Sequence, residues 1–161
     1  MPFAEMQRQP DELSSIMLFV DAQRDALLAK LDGLTFEQAT STPTVSALSV
    51  FTIVKHCANV ERRWVQAAIG GVPGLWPAPP GTRDKEFRAE PDDSIESLRA
   101  FYAEVVAANR SVIEGIADLG AELPAGVDAR WVLLHLVEEL ARHAGQADIV
   151  REAIDGAVER D

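Results

Sequence analysis

Residues 130–156 read RWVLLHLVEELARHAGQADIVREAIDG, and the spacing of this stretch decides the fold. At about 100° per residue, Val132, Leu133, Leu136, Val137, Leu140, Ala144, Ala147 and Val150 fall on one arc, the apolar stripe of an amphipathic helix. His143 projects inside that arc. Glu139, one turn earlier, projects at its margin, so the two are i, i+4 neighbours on one helix face. His135 falls further round, toward Glu138 and Arg142. A carboxylate and an imidazole at the edge of a core carry a desolvation cost of a few kcal/mol unless they bind something. A metal ion would offset it.

Working outward, the same periodicity recurs three more times and no alternating strand pattern appears. A first helix is expected over about 11–32, with Leu13, Ile16, Met17, Val20, Leu27, Leu28 and Leu31 on its core face and Gly33 as its stop. Thr35 with Gln38 resembles a capping box for a short turn over 35–39, ahead of the break at Pro43. A second long helix is expected over about 46–69, ended by Gly70 and Gly71. Residues 72–92 are rich in Pro and Gly, carry Trp76 among Pro73, Pro77, Pro79 and Pro80, and show no helical pattern; connections of that length are often functional. Ser94 is a candidate cap for a third helix over about 95–119, with Leu98, Phe101, Val105, Ala108, Val112 and Ile116 on one side. Pro124 and Gly126 break the chain, and Asp128 caps the fourth helix, which ends near Asp155 and Gly156. Four long helices with one long connection predict an all-α four-helix bundle, where sites are built from side chains on facing helices. The 161 residues fit one domain, 1–161, with its core over about 11–156.

Composition narrows the function. The net charge of −11 opposes binding to phosphate backbones, which needs clustered Lys and Arg, so nucleic acid is not an expected partner. The lone Cys57 makes no internal bridge, and no apolar run follows a basic N-terminal segment. Apolar stretches stop well short of the ~20 residues of a membrane span. A soluble cytoplasmic protein is expected, with no membrane partner. The abundance of Ala, and of Arg among the basic residues, fits a GC-rich bacterial genome.

On the second helix, Val50, Ile53, Val54, Cys57, Val60, Trp64 and Ala68 form the apolar stripe, with His56 at its flank. Ser49 and Arg63, seven residues either side of His56, project along nearly the same line, so a polar seam runs beside the core. If the second and fourth helices face each other, His56, Glu139 and His143 bring two nitrogens and one oxygen to a single site. Three protein ligands with open positions describe a catalytic metal site, since closed structural zinc sites use four ligands. The set suits zinc or nickel first, with iron or manganese next. Ser49, Arg63 and Trp76 are candidates for the pocket wall, and no catalytic residue is assigned.

Blander readings cover the remaining polar residues. Cys57 projects into the apolar stripe as a core thiol. Glu138 and Arg142 form an exposed i, i+4 pair. His135 reads as a flank histidine before a proton shuttle. Asp148 and Arg151 read as a solvated or interface pair, and Gln146, near the line of Glu139, is a candidate to orient a ligand. The Glu-x-x-His elements of a ferritin-like di-metal site and the His-Glu-x-x-His of zinc proteases are both absent from the sequence.

The segment VKHCANVERRW, residues 54–64, together with the stretch 130–156, resembles the two signature regions of an actinobacterial branch of the DinB-like superfamily. Helix order and length extend the resemblance over most of the chain. The resemblance implies a four-helix bundle binding one divalent metal through a histidine of the second helix and an i, i+4 pair on the fourth, which by position are His56, Glu139 and His143. In the superfamily that pair is most often two histidines. Here its first member is Glu139, as in the mycothiol-dependent maleylpyruvate isomerase branch.

The resemblance further implies a metal-dependent S-transferase in which a low-molecular-weight thiol, mycothiol in an actinobacterium, loses its proton at the open metal position and attacks an electrophilic small molecule. Two other readings are a non-catalytic bundle binding metal or ligand in a stress response, and a metal-dependent hydrolase with water at the open position. A homodimer is also expected, because the superfamily commonly dimerises and Leu134, Ala141 and Ile149 extend beyond the arc that one bundle core needs.

Overall fold

The computed structural model describes residues 9–75, 81 and 83–157, so Trp76 lies outside the described residues. Helix α1 spans Glu12–Ala29, α2 Phe36–Thr40, α3 Val50–Glu61, α4 Ile95–Glu114 and α5 Ala129–Asp155. Among the described residues there is no strand, and the extended pairing is one isolated bridge between Glu122 and Asp128. The fold is all-α, as the periodicity predicts. No described helix is long and apolar enough to cross a membrane.

Caps fix the starts of these helices. The side chains of Asp11, Thr35, Ser49, Ser94 and Asp128 each accept the backbone N–H three residues on, and those of Thr35, Ser49 and Ser94 are completed into capping boxes by Gln38, Thr52 and Ser97. The box at Ser49 explains why α3 starts at Val50 and not near residue 46: Ser46 and Leu48 are spent in a turn that leads into the cap. Similarly, α4 stops at Glu114, short of 119, because Gly115 follows and its N–H bonds to Val112 in a tightened last turn. Gly156 closes α5 in the left-handed conformation at φ 74°, where a side chain would be strained.

The second helix changes character midway. Arg62–Ile69 continues α3 as a π-helix, with the N–H of Gly70 reaching the carbonyl of Val65 at 2.9 Å. Such wide turns are frequent at functional sites. A Cβ on Gly70 would meet Cγ2 of Val112 at 3.0 Å and the Gln66 carbonyl at 2.8 Å, so this position seats the end of the π-helix against α4.

Helix α1 packs on α5, α5 on α3, and α4 on α3 and its π extension. The core between them holds Val20, Leu27, Ile53, Val54, Cys57, Tyr102, Leu133, Leu136 and Leu140. Asp148 and Arg151 each engage the end of α1: Lys30 pairs with Asp148 at 2.6 Å, and Arg151 donates to the carbonyls of Lys30 and Asp32, so both tie α1 to α5. The connection expected to lack helix contains a 3-10 turn, Arg83–Phe87, that docks on α3. Lys55 holds its far end by donating to the Arg88 carbonyl at 3.1 Å and to Asp93 at 2.7 Å.

Candidate metal centre

Because α3 and α5 pack directly, the flank of one stripe meets the margin of the other. One ligand atom from each of His56, Glu139 and His143 lies within 4.8 Å of the others, and the two imidazole centroids are 4.9 Å apart. All three side chains are mostly buried.

Each donor is held through one atom and leaves another toward its neighbours. His56 Nδ1 lies 2.9 Å from Oε2 of Glu86, and a carboxylate only accepts, so Nδ1 is the donor and Nε2 is the nitrogen left for a metal. His143 Nδ1 is paired with Oε1 of Gln146 at 2.8 Å, which leaves Nε2, 3.7 Å from Oε2 of Glu139. Oε1 of Glu139 accepts from Arg142 at 2.9 Å, freeing Oε2. Burial, followed by the charge of His56, lowers the His143 pKa below the usual histidine value and keeps the ring neutral. Two imidazole nitrogens and a carboxylate oxygen, each oriented by a second side chain, are the donors a divalent ion takes, so the donor set fits such an ion.

Glu86 is the residue that sequence reading missed. It is 5% exposed and sits between His56 and Arg63, which grips both its oxygens, with Nη2 at 3.3 Å from Oε2. Burial alone would raise its pKa; the hydrogen bonds from His56 and Arg63, with their charges, outweigh it and hold the carboxyl below the usual glutamate range. Phe87, next in the chain, stacks on His56 with centroids 4.5 Å apart. No periodicity could flag Glu86, because it lies in an irregular segment 30 residues from its partner.

Of the expected pocket wall, Arg63 lies in this seam, where it grips Glu86. Ser49 is 1% exposed, with its hydroxyl engaged in the α3 cap. His135 stacks on Trp131 and meets Trp64, both with centroids 5.0 Å away, so it belongs to an aromatic cluster one turn along the seam from Glu139. Cys57 is fully buried, and burial, then the charges of Glu61 and Glu139, push its thiol well above the usual range. A protonated core thiol of that kind is inert.

Fold and site together define a helical bundle with a two-histidine, one-carboxylate donor cluster between its second and last long helices. The chain belongs to the mycothiol-S-transferase family, whose model matches residues 15–156 and which is part of the DinB-like superfamily. A solved structure described as a conserved protein from Enterococcus faecalis is similar in fold, with a TM-score of 0.67 at 17% identity over 92% of this chain and 100% of that one. No curated protein shows significant sequence similarity.

Proposed function

We propose that this protein is a metal-dependent transferase that joins a low-molecular-weight thiol, mycothiol, to an electrophilic small molecule. The convergence of His56, Glu139 and His143 within 4.8 Å, in a chain of this family, carries the reading. Zinc or nickel suits two imidazoles and one carboxylate, with iron or manganese next. Two imidazole ligands add no charge and Glu139 adds one negative charge, so a bound divalent ion would supply one uncompensated positive charge, which favours thiolate over thiol at an open position.

The chain's own residues prepare that position. Glu86 and Gln146 fix the tautomers and ring orientations of His56 and His143, and Arg142 orients Glu139. The stacked Phe87 and the mostly buried ring edges limit water around the donors. A thiol held there would lose its proton to solvent, and its sulfur lone pair would form the new sulfur–carbon bond as the electrophilic carbon gives up a leaving group or a π-bond pair. We also propose that two copies associate through the exposed apolar face of α5.

The test begins with elemental analysis of protein purified without an affinity tag, where about one divalent ion per chain is expected. His143→Ala should abolish stoichiometric binding; retention of metal after loss of both His56 and His143 would reject the ligand set. Cobalt-substituted protein should develop a sulfur-to-metal charge-transfer band on adding mycothiol, and a model electrophile should then consume the thiol. Turnover of a hydrolysable substrate without thiol would instead identify water as the nucleophile.

A further inference from the structure

From the metal centre, one i, i+4 line of α5 runs back toward the start of the helix through His143, Glu139, His135 and Trp131, with about 6 Å of rise at each step. Side-chain exposure increases in that order, from 12% at His143 through 17% at Glu139 to 22% at His135, and Trp131 is 46% exposed. The metal donors therefore lie at the closed end of a seam that opens to solvent over aromatic side chains.

Three rings from two helices meet at that open end. His135 stacks on Trp131 with centroids 5.0 Å apart and planes 19° apart. Trp64, carried by the π-helix, meets His135 at 5.0 Å and 77° and Trp131 at 5.4 Å and 59°. Trp64 packs against the core, whereas much of the Trp131 indole stays in contact with solvent. Trp131 also borders a recess of about 320 Å³ whose walls include Gly120 and Gly126, neither of which has a side chain to cover the indole. Such a flat apolar surface takes a planar ring by offset stacking or edge-to-face contact.

Resting on the transferase reading, we propose that this surface selects the electrophile: the co-substrate carries an aromatic ring that lies against Trp131 and His135. The ring then sits about one helical turn from Glu139, so a reacting carbon a few bonds away reaches the donors. Trp131 and His135 are specificity residues in this scheme and take no part in bond making.

Phenyl vinyl sulfone and ethyl vinyl sulfone test the proposal, because they share one reacting group and differ in the ring. In either, the thiol proton leaves to solvent and the sulfur lone pair bonds to the terminal vinyl carbon. The displaced π pair takes a proton from water at the carbon beside the sulfone. With zinc-loaded protein and mycothiol, kcat/KM divided by the uncatalysed rate should favour the phenyl compound by about tenfold, the order of one aromatic stack with its buried area. Trp131→Ala should remove most of that preference, chiefly through KM, and Trp131→Phe should keep it. Methyl phenyl sulfone, which has no double bond to react, gives a readout independent of turnover: it should saturably shift the Trp131 indole N–H resonance, and dimethyl sulfone should not. Thiol consumption with the same preference in wild type and Trp131→Ala, or no indole shift, would overturn the aromatic selection while the transferase reading stands. An indole shift without thiol consumption would uphold the aromatic site and overturn the transferase reading.

Discussion

Nδ1 of His56 lies 2.9 Å from Oε2 of Glu86, so a residue of the long connection fixes the tautomer of a donor on α3. Arg63 braces the same carboxylate from the π-helix. The centre is therefore supported by an irregular segment as well as by the two helices that carry its ligands.

Removing that support should weaken metal binding without removing a ligand. Glu86→Ala is expected to lower affinity by about 10- to 100-fold, the usual effect of losing an outer-sphere partner of a ligating histidine. Glu86→Gln, which keeps an acceptor, should recover part of the loss. Chelator competition against zinc reads both, and nitrogen chemical shifts of His56 report its tautomer. Equal affinities for wild type and Glu86→Ala would show that Glu86 serves the loop alone.

Acid should destabilise the metal-free protein through His143. Its folded pKa lies below the reference 6.5, chiefly because the ring is buried and secondly because His56 is near. As pH falls, the unfolded chain takes up this proton first, so the stabilisation is complete above about 6.5 and is lost as pH falls through the lower folded value. One proton limits the slope to about 1.4 kcal/mol per pH unit. Calorimetric melts in chelator between pH 7.5 and 5.5 should show the decline, and His143→Gln should flatten it. An unchanged slope in that variant would assign the acid sensitivity elsewhere. Glu86, held below 4.5, acts in a lower window: its contribution is present above that value and is lost on further acidification.

How far the sequence was legible depends on which forces act locally. Helix positions followed from apolar spacing, and the caps at Thr35, Ser94 and Asp128 from their side chains, because both signals sit within a turn of the feature they announce. The cluster of His56, Glu139 and His143 was readable because His143 falls inside a periodic stripe and His56 and Glu139 fall at the edges of theirs. The π-helix over Arg62–Ile69 was hidden, since its widened turns follow packing against α4 and carry no distinctive residue pattern. Glu86 was hidden by distance along the chain. The charged residues Arg24, between Val20 and Leu27, and Glu61, one turn after Cys57, stand on core phases of opposite charge in two helices, a signal of pairing that was available in the periodicity.

Helix α5 leaves Leu134 52% and Ile149 64% exposed, with Ala141 and Gly145 between them on the same face. Small residues between two apolar ones allow a second helix to approach closely. If two copies meet here, Leu134→Glu should convert a dimer to a monomer in sedimentation at micromolar concentration while leaving the melting of the dilute chain unchanged. A wild-type chain that sediments as a monomer at that concentration would reject the interface.

The last prediction concerns the charge pair buried between α1 and α3. Glu61, 1% exposed, accepts from Arg24 Nε at 3.1 Å and Nη2 at 2.8 Å, and from the Tyr102 hydroxyl at 2.6 Å. Burial, then the neighbouring Glu61, pushes the Tyr102 hydroxyl well above the usual tyrosine value, so it remains a donor. Glu61→Gln leaves the buried guanidinium without its counter-charge and should cost about 3–5 kcal/mol, whereas Tyr102→Phe removes one bond to a charged acceptor and should cost about 1.5–3 kcal/mol. Replacing both partners, Arg24→Met with Glu61→Leu, should restore much of the stability lost by Glu61→Gln, because neither charge is then stranded. Denaturant midpoints for these three variants decide the matter: a neutral Glu61→Gln, or a double variant less stable than Glu61→Gln, would mean that the pair does not act as a mutually compensated unit.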